Sequence, residues 1–427
     1  MRIKKKHFFK IHSWIGIRLS ILFFIVCFSG TLATLSHEMD WLFNPSIRAT
    51  PQKELASRNL IAANFKEKYP EGKMTYWTRP NEAYLCDIIY KEENGNNSYV
   101  FANPYTGEIQ GESKLTVQRF FRDLHYYLFI PFQIGHFTVL IFAFLLFISF
   151  ATALVFYKKW WRKLFELQTG KGSLVFFRSL HRLVGLWSVP FSILFSVTGI
   201  WYFLERTDTG NIGTISNPKN PEIKNERQVE DIKSIDFDRA IITAKKAIPN
   251  LKTSNINIPE KTNNVIYITG KSDVPLVRER ANRIYVDPVT YQPIKVQKAK
   301  NIPTVMYLND IADPLHFGYW GGLTTKIIWF VFGLGISSLI LTGIWITLKR
   351  TVIKRKKKKQ KIMGVWRYIN WGIIGVLLAF MYIIILTRYQ PPISTVVIIS
   401  FGWLLFIFLT WYIFVYLLQK EVNKAIQ

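Results

Sequence analysis

Four histidines recur in register along the 427-residue chain. His12-x3-Gly16-x13-Gly30 repeats as His181-x3-Gly185-x13-Gly199, a shift of 169 for all three residues. Leu124-His125 and Lys158 repeat as Leu315-His316 and Lys349, a shift of 191. Asn103-Pro104 repeats as Asp287-Pro288, a shift of 184. A lone histidine at a membrane edge is ordinarily a hydrogen-bonding group, but four in register suggest two facing pairs. Neutral imidazole is a good iron ligand, and a facing pair is the axial set of b-type haem. The expected pairs are His12 with His181 and His125 with His316, giving two haems stacked into an electron path. Zinc or copper would normally want three or four donors. Near the spans there is no cluster of thiolates or carboxylates, only peripheral Glu38, Asp40, Asp310 and Asp313. His37 and His136 break the repeat, since Arg206 and Ile327 stand at the matching positions. Both stay open as replacement ligands, with His136 the main rival to His125. His7 lies in a basic tail.

The elements that must position these residues are apolar. Hydrophobic residues make up 49% of the chain and aromatics 16%. Several nearly uncharged runs of about 18 residues or more read as transmembrane helices. The expected spans are 12–36, 134–157, 182–204, 324–348, 364–387 and 394–418. Disorder, a collagen-like fibre and a small disulfide scaffold are excluded by this composition. The two cysteines, Cys27 and Cys86, form no CxxC and no covalent haem-attachment motif.

Net charge is +27, and its placement orients the chain. Residues 1–11 carry +5, 157–182 carry +6 and 349–363 carry +9. The long segments 37–130 and 205–322 carry only −1 and +3. Both termini and the basic connections are therefore expected in the cytoplasm, with the two long segments outside. Stop-transfer anchoring accounts for the run Lys354 to Lys361. With the excess charge so placed, no nucleic-acid partner is expected.

This yields an α-helical polytopic membrane protein with a duplicated helix–domain–helix unit and two small α+β outer domains. Its expected divisions are 1–36, an outer domain 37–130, then 131–205, a second outer domain 206–320, the span 321–348, the basic loop 349–363 and an appendix 364–427 without a copy. Strands are expected at Tyr84–Tyr90, Ser98–Ala102, Asn264–Thr269 and Arg283–Val286, and a helix at Phe237–Ile248. Gly16, Gly30, Gly185, Gly199 and Gly343 allow close approach of a helix or a flat ring. Arg18, deeper in the span than Arg178 and Arg182, is a candidate partner for haem propionates. Pro190 interrupts the third span, and no matching break is expected in the first. No GxGxxG follows a strand, so electrons would come from quinol or a separate reductase.

The ensemble resembles the PepSY-associated transmembrane proteins. The matching pieces are His12-Ser-Trp-Ile-Gly16, Leu124-His125, Leu180-His-Arg-Leu-Val-Gly185 and Leu315-His316-Phe-Gly318, with Thr198–Trp201, Thr342–Trp345 and the turns at Asn103–Gly107 and Asp287-Pro288. Resemblance covers about residues 8–350. It implies a bacterial inner-membrane protein with PepSY-like periplasmic domains and a link to iron uptake. Some members resemble ferric-siderophore reductases carrying haem b, and on that pattern the four repeated histidines are the ligands. The partner would be a ferric siderophore or other iron chelate. The family's usual core has four spans, so the appendix departs from it. Two other readings stand beside a reductase: a haem-free regulatory or binding module, and a siderophore transporter.

Overall fold

In a lipid core every backbone polar group must be satisfied internally, so apolar runs of this length become helices. The computed structural model describes residues 5–221, 235–259, 265–354 and 364–417. It divides into a helical unit (1–35, 120–200 and 327–427) and a sheet unit (36–119 and 201–326). Most of the basic run 354–361 lies outside the described residues.

Among the described residues, four helices are long and apolar enough to cross a membrane: Phe132–Phe156, Tyr319–Arg350, Trp366–Tyr389 and Ile393–Leu417. Two further candidates are bent pairs. Lys5–Arg18 and Ser20–Thr34 meet at 76°, and Ser173–Trp187 and Val189–Arg206 meet at 59°. This corrects the expectation of an unbroken first span. Leu19 separates the first pair and Ser188 the second, again a shift of 169. Pro190, just past Ser188, explains the second break, because proline has no amide hydrogen to continue the ladder. The first break has no proline within it.

In the sheet unit the two long segments join. β1 (Lys73–Thr78), β2 (Asp87–Glu93), β3 (Asn96–Ala102) and β4 (Ile109–Ser113) come from the first, and β5 (Lys252–Asn257), β6 (Ile266–Lys271), β7 (Asn282–Val286) and β8 (Pro293–Gln297) from the second. They form one antiparallel sheet ordered β4-β3-β2-β1-β5-β6-β7-β8. The expected strand at 84–90 starts only at Asp87. Its first residues turn away, with Cys86 N–H donating to the Ile47 carbonyl. Asn94 and Gly95 take φ of 50° and 75° in the β2–β3 turn, the left-handed geometry that tight hairpins require.

The halves match in detail. Helix Arg58–Lys68 precedes β1 and helix Phe237–Ala247 precedes β5, displaced by 179. A bulge at Met74/Tyr76 against β2 recurs at Thr253/Asn255 against β6, also displaced by 179. The helix amino termini cap each other. Asn59 Oδ1 accepts from Phe237 N (2.8 Å), and Asp238 Oδ1 accepts from Arg58 N (2.9 Å). Strand alternation sends Trp77, Ile89, Val100, Ile256, Ile268 and Ile284 into one core with both helices. On the other face, the paired residues Tyr99, Tyr90, Tyr76, Asn257, Tyr267 and Tyr285 run across six strands.

Candidate functional site

His12 and His181 come together in the helical unit. Their ring centroids are 6.3 Å apart and their planes nearly perpendicular, at 79°. Two imidazoles on opposite sides of one metal ion, each bonded at roughly 2 Å, have centroids about 6 Å apart.

Hydrogen bonds engage Nδ1 of both rings. His12 Nδ1 lies 3.0 Å from the Ser149 carbonyl, which can only accept, so Nδ1 carries the proton. His181 Nδ1 lies 2.9 Å from Thr342 Oγ1. When that hydroxyl donates to the Ser338 carbonyl (2.9 Å), it is an acceptor for His181 Nδ1–H. In both rings the lone pair is left on Nε2, and among the described residues it has no hydrogen-bond partner there. An outer partner on one nitrogen and an open lone pair on the other is the usual arrangement of a metal-binding histidine. Ser149 was not legible as a site residue, whereas Thr342 sits in the Thr-Gly-x-Trp piece.

The glycines around the pair divide. A Cβ at Gly343 would stand 3.3 Å from His181 Cε1. Gly16 and Gly185, one turn beyond each histidine, have space: nothing lies within 4 Å at Gly16, and at Gly185 the nearest atom is Leu339 at 3.8 Å. Gly199 instead serves helix packing, since a Cβ there would stand 2.6 Å from Ala143 Cβ. Arg18 stacks over Trp366 at 5.1 Å. Arg182 binds the Tyr157 hydroxyl (3.1 Å) and the Glu166 carbonyl (2.8 Å), while Arg178 is exposed.

His125 is held in the same way, its Nδ1 2.9 Å from the Val26 carbonyl. Its ring lies against Gly30, where a Cβ would stand 2.6 Å from His125 Cε1. Inside a helix, glycine to alanine normally stabilises by about 1 kcal/mol. Gly30→Ala is expected to reverse that sign and destabilise by roughly 1–3 kcal/mol, because the ring must move. A rise in the melting temperature of the purified variant would contradict this contact.

The rival His136 is 4% exposed and stacked on Phe132 at 5.3 Å, with Tyr126 at 4.3 Å and its Nδ1 3.2 Å from the Tyr126 carbonyl. In the sheet unit, His316 packs edge-on to Tyr202 at 5.5 Å. His37 Nδ1 is buried with no hydrogen-bond partner among the described residues. Burial pushes its pKa down, opposed by nearby Glu82.

The peripheral acids serve the fold. Glu38 pairs with Lys326 at 2.8 Å, and Glu82 joins it at 2.5 Å. Burial pushes Glu82 up, but Lys326 and His37 carry it below its ordinary range. Asp40 accepts from Val117 N (2.6 Å) and Gln118 N (2.9 Å), the start of a helix. Asp310 and Asp313 bind Arg278. Among the described residues, no three of His, Cys, Asp and Glu gather as a metal-binding group. The donor set therefore suits a metal that needs only two protein ligands.

The family model described as the PepSY-associated TM region matches residues 9–350. No curated protein matches the sequence.

Proposed function

Because this chain belongs to the PepSY-associated transmembrane family, we propose that it is a membrane electron carrier holding haem b between His12 and His181. It would act as a ferric-chelate reductase. The observation that carries this reading is the His12–His181 pair 6.3 Å apart, each Nδ1 hydrogen-bonded to a residue of another helix. Haem, when bound, supplies a one-electron ferric–ferrous couple. Ser149 and Thr342 would hold each imidazole as the Nδ1–H tautomer, leaving Nε2 to bind the iron. A second haem, on His125 and His316, is proposed from the sequence repeat alone.

The matching breaks, bulges and caps support two copies of one helix–domain–helix unit. Counting each bent pair as one span gives six. The placement of basic residues supports cytoplasmic termini in a bacterial inner membrane. Electrons would then pass outward, from quinol or a separate reductase, to ferric iron held by a siderophore. Reduction releases iron because such ligands prefer the ferric state.

Absorption spectra of the detergent-purified protein, oxidised and then dithionite-reduced, test the reading. A sharp b-type α band and about two haems per chain are expected. A protein that stays colourless after expression with adequate haem would refute the redox reading and favour a haem-free binding module. One observation favours transport as the second reading: helices broken at corresponding positions of two repeats occur in transporters. Accumulation of the ferric chelate in proteoliposomes without reduction would select it.

A further inference from the structure

The break in the first span leaves backbone groups that need partners. Helix ends expose amide hydrogens on one side and carbonyls on the other. Here the partner is a single side chain from the appendix. Asn370, on helix Trp366–Ile384, is 2% exposed. Its Nδ2 donates to the Arg18 carbonyl (3.2 Å) and its Oδ1 accepts from Ile21 N (3.4 Å). One amide therefore bridges the two sides of the 76° bend. The same Nδ2 also bonds the Trp366 carbonyl at 2.8 Å, which fixes its direction. Arg18 stacks on Trp366 one turn earlier on that helix.

The second break removes the amide side of the same problem. Shifted by 169, the position of Ile21 is Pro190. Proline has no amide hydrogen, so nothing there needs an acceptor, and its fixed φ suits the first turn of a helix. We infer that Asn370 does for the first break what Pro190 does for the second, so that the 366–384 helix is a brace for the bend that sets His12.

The other end of this helix makes a matching contact. The buried stripe Asn370, Ile374, Leu377, Met381, Ile385 and Tyr389 faces inward. The Tyr389 hydroxyl donates to Asp123, which also accepts from Tyr127 at 2.8 Å. Asp123 lies two residues before His125. The appendix therefore ties down the helices carrying both histidines of the first half.

The inference does not depend on bound haem, and its test reads the bend directly. Spin labels at Trp14→Cys and Leu32→Cys, with Cys27→Ser and Cys86→Ser, report the distance across the break in the full chain. Asn370→Leu is expected to lengthen and broaden that distance and to lower the melting temperature by about 4 °C. Adding Ile21→Pro is expected to restore the distance, because the donor left unpaired is removed. A purely structural loss of packing at Asn370 would not be repaired by a change on another helix. An unchanged distance in Asn370→Leu, or no restoration by Ile21→Pro, would overturn the inference. Should Asn370→Leu fail to fold, Ile21→Pro alone decides. It is expected to fold with an unchanged distance, and its collapse would refute the equivalence with Pro190.

Discussion

Alanine at position 181 is expected to remove one haem per chain from the purified protein. In the proposed site His181 and His12 would be the two protein ligands of the haem, so losing either would leave it held by one. The neighbouring groups do not offer a substitute. Thr342 and Ser149 stand at Nδ1, on the far side of each ring, and no third donor gathers with the pair among the described residues. The α band should fall by about half if two haems are present at the start. A pyridine haemochrome assay on monodisperse protein provides the count. Full haem content in the His181→Ala protein would place the iron elsewhere. His136→Ala is the informative control, because it removes a histidine already accommodated by Phe132 and Tyr126.

Asp87→Ala is expected to be the most destabilising single change in the sheet unit, by about 3–5 kcal/mol. Asp87 is fully buried. Its carboxylate accepts from Trp77 Nε1 (2.9 Å) and, through both oxygens, from Arg79 (2.8 Å each), and it pairs with Arg58 at 3.1 Å. The Arg58 guanidinium is itself buried, stacked 4.5 Å over the Trp77 ring. Burial pulls its pKa down to about 10, against the pull of Asp87. Removing Asp87 leaves that charge with only the weaker pull of Asp238 to offset its desolvation. A drop in melting temperature of roughly 10 °C is the corresponding signal. Asp87→Asn keeps the acceptor for Trp77 and should fall between. A loss below about 1 kcal/mol for Asp87→Ala would show that Arg58 is solvated in solution.

The apolar runs were legible because lipid demands long uninterrupted hydrophobicity, and the family match spans the region where the motifs were seen. The 237–248 helix was legible from its periodicity, and the Asn94-Gly95 turn from its residues. The first break was not, since Leu19 carries no breaker and its partner Asn370 lies some 350 positions away. For the same reason the roles of Ser149 and Lys326 were hidden: each depends on a contact between distant helices or loops. The joining of the two long segments through β1 and β5 was also invisible. Strand alternation says which face is buried, not which strand lies alongside. Asp87 looked like one more charge in a polar segment. Only burial beside Arg58, Arg79 and Trp77 makes it structural.

The reciprocal caps and the β1–β5 pairing have a consequence for biosynthesis. The last strand of the first long segment ends at Ser113, yet the partners of its helix start and of strand β1 lie at 236–257. At the usual ribosomal rate of about 5–20 residues per second, the intervening chain takes roughly 7–30 s to make. Throughout that interval β1 offers an unpaired edge, and the helix Phe132–Phe156 and the bent pair 173–206 are made before it is covered. The nascent protein thus passes through an aggregation-prone stage fixed by its topology. A holding chaperone on the side where the sheet forms would raise the yield of folded protein more than one acting at the ribosome exit.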